Sequence, residues 1–127
     1  MRLHRNLVYT TIDSLNFIFN EGEYADKIVA KALKKDLRWG AKDRKFVAET
    51  IYEIVRWKRL YAEIAEVKEP YNREDLWRMF AVWAVLRGYP IPDWTQLEGT
   101  PNRRIKGRFE ELSKIRKYRE SIPDWMD

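Results

Sequence analysis

The chain has no cysteine and a single histidine among its 127 residues. Without thiols there can be no disulfide, no thiolate metal site and no cysteine nucleophile. One imidazole, that of His4, excludes a multi-histidine metal cluster. Glycine is scarce too: the five are scattered, and none falls in a G-x-G-x-x-G or Walker spacing, so a phosphate-cradling loop is not expected. No apolar run approaches the ~20 residues that span a bilayer. The basic residues at the N-terminus are not followed by the apolar segment of a secretory signal. These absences point to a soluble, cytoplasmic protein with no membrane partner.

What is present is bulk and helical periodicity. Hydrophobic residues make up 45% of the chain, including six Trp, seven Tyr and five Phe, enough for one domain with a real core. A chain of this size buries roughly two-thirds of its unfolded surface. Leu7, Val8, Ile12, Leu15, Ile18 and Phe19 recur at helical spacing and predict a first helix over residues 3–20, stopped at Gly22. Ile28, Val29, Ala32 and Leu33 predict a second over 24–35. A third is predicted as one long helix over 41–66, its apolar stripe comprising Phe46, Val47, Thr50, Ile51, Ile54, Val55, Tyr61 and Ala65. Asn72 is a natural N-cap for a fourth helix over 73–87, with Glu74 and Asp75 in the favourable first turn. Residues 79–86, MFAVWAVL, are apolar almost all round, as in a helix buried on several sides. A loop over 93–102 should tuck Trp94 and Leu97 onto the bundle, and a fifth helix is predicted over 103–120 on Ile105, Phe109 and Leu112. No strand-like alternation and no internal repeat is visible. The predicted fold is all-α, a compact orthogonal bundle of about five main helices.

Carboxylates are plentiful but lie among Lys and Arg on helix surfaces, the pattern of solvated ion pairs, and they suggest no catalytic site. Charge is more informative. Residues 101–119 hold eight basic side chains against two acidic ones, a net +6 beside +5 for the whole chain. On a helical wheel Arg103, Lys106, Lys114 and Lys117 share a face opposite Ile105 and Phe109, with Glu110 in its middle, and Arg104 is counted with them as a phosphate contact. Such a face attracts phosphate-bearing partners; it also keeps a helix soluble. Arg2, His4 and Arg5 form a second basic group at the start of the first helix, where free backbone N–H groups favour anions. Lys42, Arg44 and Lys45 form a third at the start of the long helix. Arg44 has a structural alternative, binding loop carbonyls or carboxylates of the second helix. Tyr52 and Arg56, one turn apart, read as an interhelical hydrogen-bonding pair. Trp77 and Trp83 belong to the core, and Trp39 and Trp57 flank the long helix, packing against neighbours.

The stretch 37–56, LRWGAKDRKFVAETIYEIVR, carries Asp43, Arg44, Phe46, Val47, Tyr52 and Arg56 in one spacing. It resembles the Leu-x-x-x-Asp-Arg-x-Phe-Val-x-x-x-x-Tyr-x-x-x-Arg signature of the NusB-like domain that opens the Sun/Fmu RNA cytosine-5 methyltransferases. It departs at Glu53, where family members usually carry Gly. The ending Ser121-Ile122-Pro123-Asp124-Trp125 is similar to the Ser-x-Pro-x-Trp stretch leading into the family's catalytic part. The resemblance implies an RNA-binding helical domain over 1–120 and the start of a linker over 121–127. It further implies ribosomal RNA and a following C-terminal methyltransferase domain as partners. That domain would hold S-adenosylmethionine and the cysteine nucleophiles; no cofactor is expected in this chain. A free-standing NusB-type antitermination factor, binding RNA and a ribosomal protein, is the nearest alternative, and a protein-binding adaptor a more distant one.

Overall fold

In the computed structural model, which describes residues 2–115, Gly22 ends the first helix as its sequence predicts. It sits at φ 69°, the left-handed cap conformation that glycine adopts without a Cβ clash. The helix before it, α1, spans Arg5–Glu21, and α2 (Ala25–Leu33) folds back along it. The remaining helices are α3 (Ala41–Arg56), α4 (Lys58–Ala65), α5 (Arg73–Leu86) and α6 (Asn102–Ser113), with a 3-10 turn at Thr95–Leu97 before α6. Among the described residues all regular structure is helical, and the helices pack into one all-α bundle. The predicted continuation of the last helix through Lys117 to residue 120, and the stretch 121–127, lie outside the described residues.

The single long helix predicted over 41–66 is instead two, broken at Trp57 (φ −108°, ψ 28°). The reason is a change of phase. At 100° per residue the buried side chains Val47, Thr50, Ile51 and Ile54 centre on one direction, while Leu60, Tyr61 and Ile64 centre roughly 80° away. A straight rod cannot bury both stripes. The break turns the second stripe onto α5 and α6, and the Arg56 guanidinium stacks over the Trp57 ring at 4.9 Å. Arg56 therefore marks the break, whereas Tyr52 does bridge helices, donating from its hydroxyl to Asp26 of α2 at 2.6 Å.

Helix α5 is the central element and packs against α1, α3, α4 and α6. Its N-terminus is held by a capping box: the Asn72 side chain accepts from the Asp75 N–H at 2.8 Å, and Asp75 Oδ2 accepts from the Asn72 N–H at 3.1 Å. Leu76, Met79, Phe80, Val82 and Ala84 are almost wholly buried. Three contacts set α1 antiparallel to α5: Tyr9 edge-on to Trp77, Arg73 donating to Asp13 at 2.9 Å, and Asn20 donating to the Tyr71 carbonyl at 2.7 Å. On the other side, Phe46 of α3 meets Trp83 edge to face, and Trp83 stacks on Tyr89. Glu53 completes this contact by accepting from the Trp83 indole N–H at 3.0 Å and from Arg87 at 3.1 Å. The residue that departs from the NusB-like signature thus ties α3 to the centre of the bundle.

Candidate nucleic-acid interface

Where α2 ends, its last carbonyls lack intrahelical partners and carry the negative end of the helix dipole. Arg44, in the first turn of α3, answers one of them by donating to the Leu33 carbonyl at 2.7 Å. Its structural role is thereby observed. The consequence is electrostatic, because this bond brings the end of α2 beside the start of α3. Lys31, Lys34 and Lys35 are added to Lys42 and Lys45 at one corner of the bundle. Residues 31–45 contain seven basic side chains against two acidic ones, a net +5, equal to that of the entire chain.

Three of these seven basic side chains are ion-paired, two of them loosely. Arg38 binds Asp36 at 3.0 Å, and its hydrogen bonds hold the Asp36 carboxyl below the ordinary carboxylate range. Lys35 lies 3.7 Å from Asp13, and Lys45 lies 3.8 Å from Glu49, both loose and exposed pairs. Exposed pairs of this kind contribute little to stability and exchange readily with other partners. Lys31, Lys34 and Lys42 are exposed and make no hydrogen bond or ion pair with any described residue.

The other two basic groups are held differently. Arg2 and His4 are exposed, His4 occupying the N-cap position of α1 without a side-chain capping bond. The Arg5 guanidinium lies over the Trp94 ring at 5.3 Å, a cation–π contact that fixes it against the loop before α6. On α6, Ile105 and Leu112 are buried and Phe109 is half-buried, so the predicted apolar face does anchor the helix. Arg104 does not join the open face. It makes a two-pronged contact with Glu66 at 2.9 and 2.7 Å, which holds the Glu66 carboxyl below its ordinary value. Arg108, one turn on, donates to the Glu63 carbonyl at 3.0 Å. Arg103, Lys106 and Lys114 remain exposed and without partners among the described residues, beside exposed Glu110 and Glu111. Lys117 lies outside the described residues.

Two concavities accompany these surfaces. The larger, about 590 Å³, lies between α4, α5, the 3-10 turn and α6 over a floor that includes Trp77, Ala81 and Ile105. Its charged rim carries Glu66, Glu74 and Glu98 against Arg78 and Arg104, an acidic balance unsuited to phosphate. The smaller, about 370 Å³, is a groove between α1 and α2, and Lys31, Lys34 and Lys35 of the basic corner line it. Neither Lys31, Lys34 nor Phe17 in that groove stands out in the sequence. The one available signal is the Lys34-Lys35 pair, eight residues before the basic run at Lys42.

Among the described residues no group of three or more His, Asp or Glu side chains is placed to hold a metal ion, and no helix is long and apolar enough to cross a membrane. No protein-family model, curated protein or solved structure matches the chain.

Proposed function

We propose that this chain is an RNA-binding helical module, of the kind that opens a Sun/Fmu-type rRNA cytosine-5 methyltransferase and helps to bind and position ribosomal RNA. The observation that carries the reading is the α2–α3 corner, where Lys31, Lys34 and Lys42 stand exposed, without partners among the described residues, within a net +5 segment. Phosphate neutralisation by lysine releases condensed counterions and drives association without base recognition. Arg103, Lys106 and Lys114 on α6, and Arg2 and His4 before α1, give further contacts along an extended RNA. On this reading the chemistry belongs to a following domain, which holds S-adenosylmethionine in the cytoplasm, while the module supplies affinity and orientation.

The test is a fluorescence titration of ribosomal RNA fragments across a range of salt. Three or four phosphate contacts give a log–log slope of roughly −2 to −4, from about −0.7 per contact on a single strand and −0.9 on a duplex. A chain that fails to bind any fragment at low salt, or binds with no salt dependence, is not an RNA-binding module of this type.

A further inference from the structure

The groove between α1 and α2 joins an aromatic platform to the basic corner. Phe17 projects into it from α1 and is 44% exposed, unusual for a phenyl ring in a chain whose other phenylalanines are at least half-buried. Ile28 and Ala32 of α2 form the buried apolar wall opposite, and the hydroxyl-bearing Thr10 and Ser14 lie along α1. Lys31, Lys34 and Lys35 line the α2 side toward the corner. The carboxylates in the groove are largely answered: Asp13 is bound by Arg73 at 2.9 Å and faces Lys35 at 3.7 Å, and Glu23 is bound by Lys27 at 3.1 Å. Glu21, one turn beyond Phe17 on α1, has no ion-pair partner among the described residues and lies at the hairpin end, away from Lys34 and Lys35. The groove therefore has an open aromatic ring, an apolar wall and unpartnered cations on one side of it.

Resting on the RNA-binding reading, we propose that this groove takes one unstacked nucleotide of single-stranded RNA. Its base lies on the Phe17 ring, and its flanking phosphates meet Lys31 and Lys34. The volume, about 370 Å³, falls in the range of ~300–1,000 Å³ common for small-ligand sites. Single-stranded RNA is recognised by stacking splayed bases on aromatic side chains, which a paired base cannot supply. Lys31 in the last turn of α2 and Lys34 at its C-cap are one helical turn apart, and both line the groove. The lysine end opens directly onto the α2–α3 corner, giving the strand a continuous cationic path into the groove. A docked protein helix would exploit the apolar wall equally well. Lysines without partners among the described residues, lining the same groove as the ring, favour a ligand that carries both a π-face and negative charge.

The experiment compares an eight-nucleotide single-stranded RNA with a duplex of the same sequence, using the whole chain. Phe17→Ala should weaken single-strand binding by about five- to 160-fold, the range for loss of a base–aromatic stack, and leave duplex binding within twofold. Phe17→Leu, which keeps apolar bulk and removes the π-face, should lose binding to a similar degree. Tyr24→Ala is the control: Tyr24 is 82% exposed on the neighbouring hairpin but does not line the groove, and its loss should change neither affinity. Helical content by circular dichroism checks that each variant folds. If the wild type binds neither RNA, the RNA-binding reading itself fails. If it binds both and Phe17→Ala matches it on the single strand, or loses single strand and duplex equally, the nucleotide site is wrong. Wild-type affinity of Phe17→Leu beside a weakened Phe17→Ala would also overturn it, since apolar packing, as for a protein helix, would then suffice.

Discussion

Two regions of this bundle are similarly basic in sequence and differ in what the fold does with that charge. At the α2–α3 corner the lysines point to solvent, and most of their positive charge stays open. On α6 the two arginines that face α4 are taken up by Glu63 and Glu66. The side-chain types contribute to the difference. Arg104 presents a planar fork that fits a carboxylate with two parallel hydrogen bonds, whereas a lysine ammonium is a compact, strongly hydrated point charge. Geometry contributes more. Glu63 in the last turn of α4 and Glu66 at its C-cap lie one turn apart, opposite Arg108 and Arg104, one turn apart on antiparallel α6. Among the described residues no comparable acidic pair faces the corner lysines, whose ion-pair partners are the loosely held Asp13 and Glu49. A count of charges along the chain thus measures how much charge exists, while its availability to a phosphate depends on what the packing places across from it.

The sharpest way to break this comparison is to neutralise each region in turn. The variant K31Q/K34Q/K42Q removes three unpartnered corner cations and should reduce the salt slope by about 2, equivalent to roughly a hundredfold loss of affinity at 0.1 M salt relative to 1 M. The matching α6 variant, R103Q/K106Q/K114Q, removes three cations whose potential is already damped by the exposed Glu110 and Glu111 beside them, and should lose less than tenfold. Side-by-side titrations on one ribosomal RNA fragment make the measurement. A larger loss from the α6 variant would reverse the assignment and make α6 the principal RNA surface.

The corner also depends on how firmly α3 is held to α5, and this dependence can be probed without touching a basic residue. Glu53→Ala leaves the Trp83 indole N–H and Arg87 without their shared acceptor. Loss of a partly buried, charge-assisted acceptor costs about 2 kcal/mol, which lowers the melting temperature of a domain this size by roughly 5–10 °C. Amide exchange should quicken in α3 and α5 while α4 and α6 retain more of their protection. An unchanged melting temperature would show that the aromatic packing of Phe46, Trp83 and Tyr89 holds the two helices alone.

The buried frame was largely legible because its signals are local. Gly22, the Asn72 N-cap and the all-round apolar run of α5 each name their own structural role, and the structure places them accordingly. The break at Trp57 was less so. Its signal exists in Leu60 and Ile64, apolar residues that fall off the stripe defined by Val47 to Ile54, but a stripe drawn broadly enough absorbs the discrepancy. The candidate site was legible only in part. That Arg44 answers α2 could be weighed from its position, yet its effect of joining Lys31 and Lys34 to Lys42 requires the chain to fold back. The pairing of Arg104 with Glu66, 38 residues earlier, is wholly tertiary. The exposure of Phe17 is likewise hidden, because it sits in a run with Ile18 and Phe19 where helical spacing alone does not say which ring is left uncovered.

The smallest effect comes from the pair that distinguishes the two regions most directly. Glu66→Gln removes the carboxylate that holds Arg104 and draws in Arg108, leaving α6 with more open charge. RNA binding should tighten slightly, and the salt slope should steepen by up to one phosphate contact, about 0.7. The same variant has a signature in acid. Hydrogen bonds from Arg104 hold the folded Glu66 carboxyl below its ordinary value. Its contribution to stability is therefore complete above the unfolded carboxyl pKa, about 4.3, and is lost as the pH falls through the lower folded value. Melting curves of wild type and Glu66→Gln should differ by a constant amount from pH 8 to 5 and converge as the pH drops below about 4.3. Should the difference instead persist unchanged into strong acid, the Glu66 charge is not what restrains α6. A salt slope identical to wild type would mean that Arg104 and Arg108 stay closed to RNA for reasons of packing.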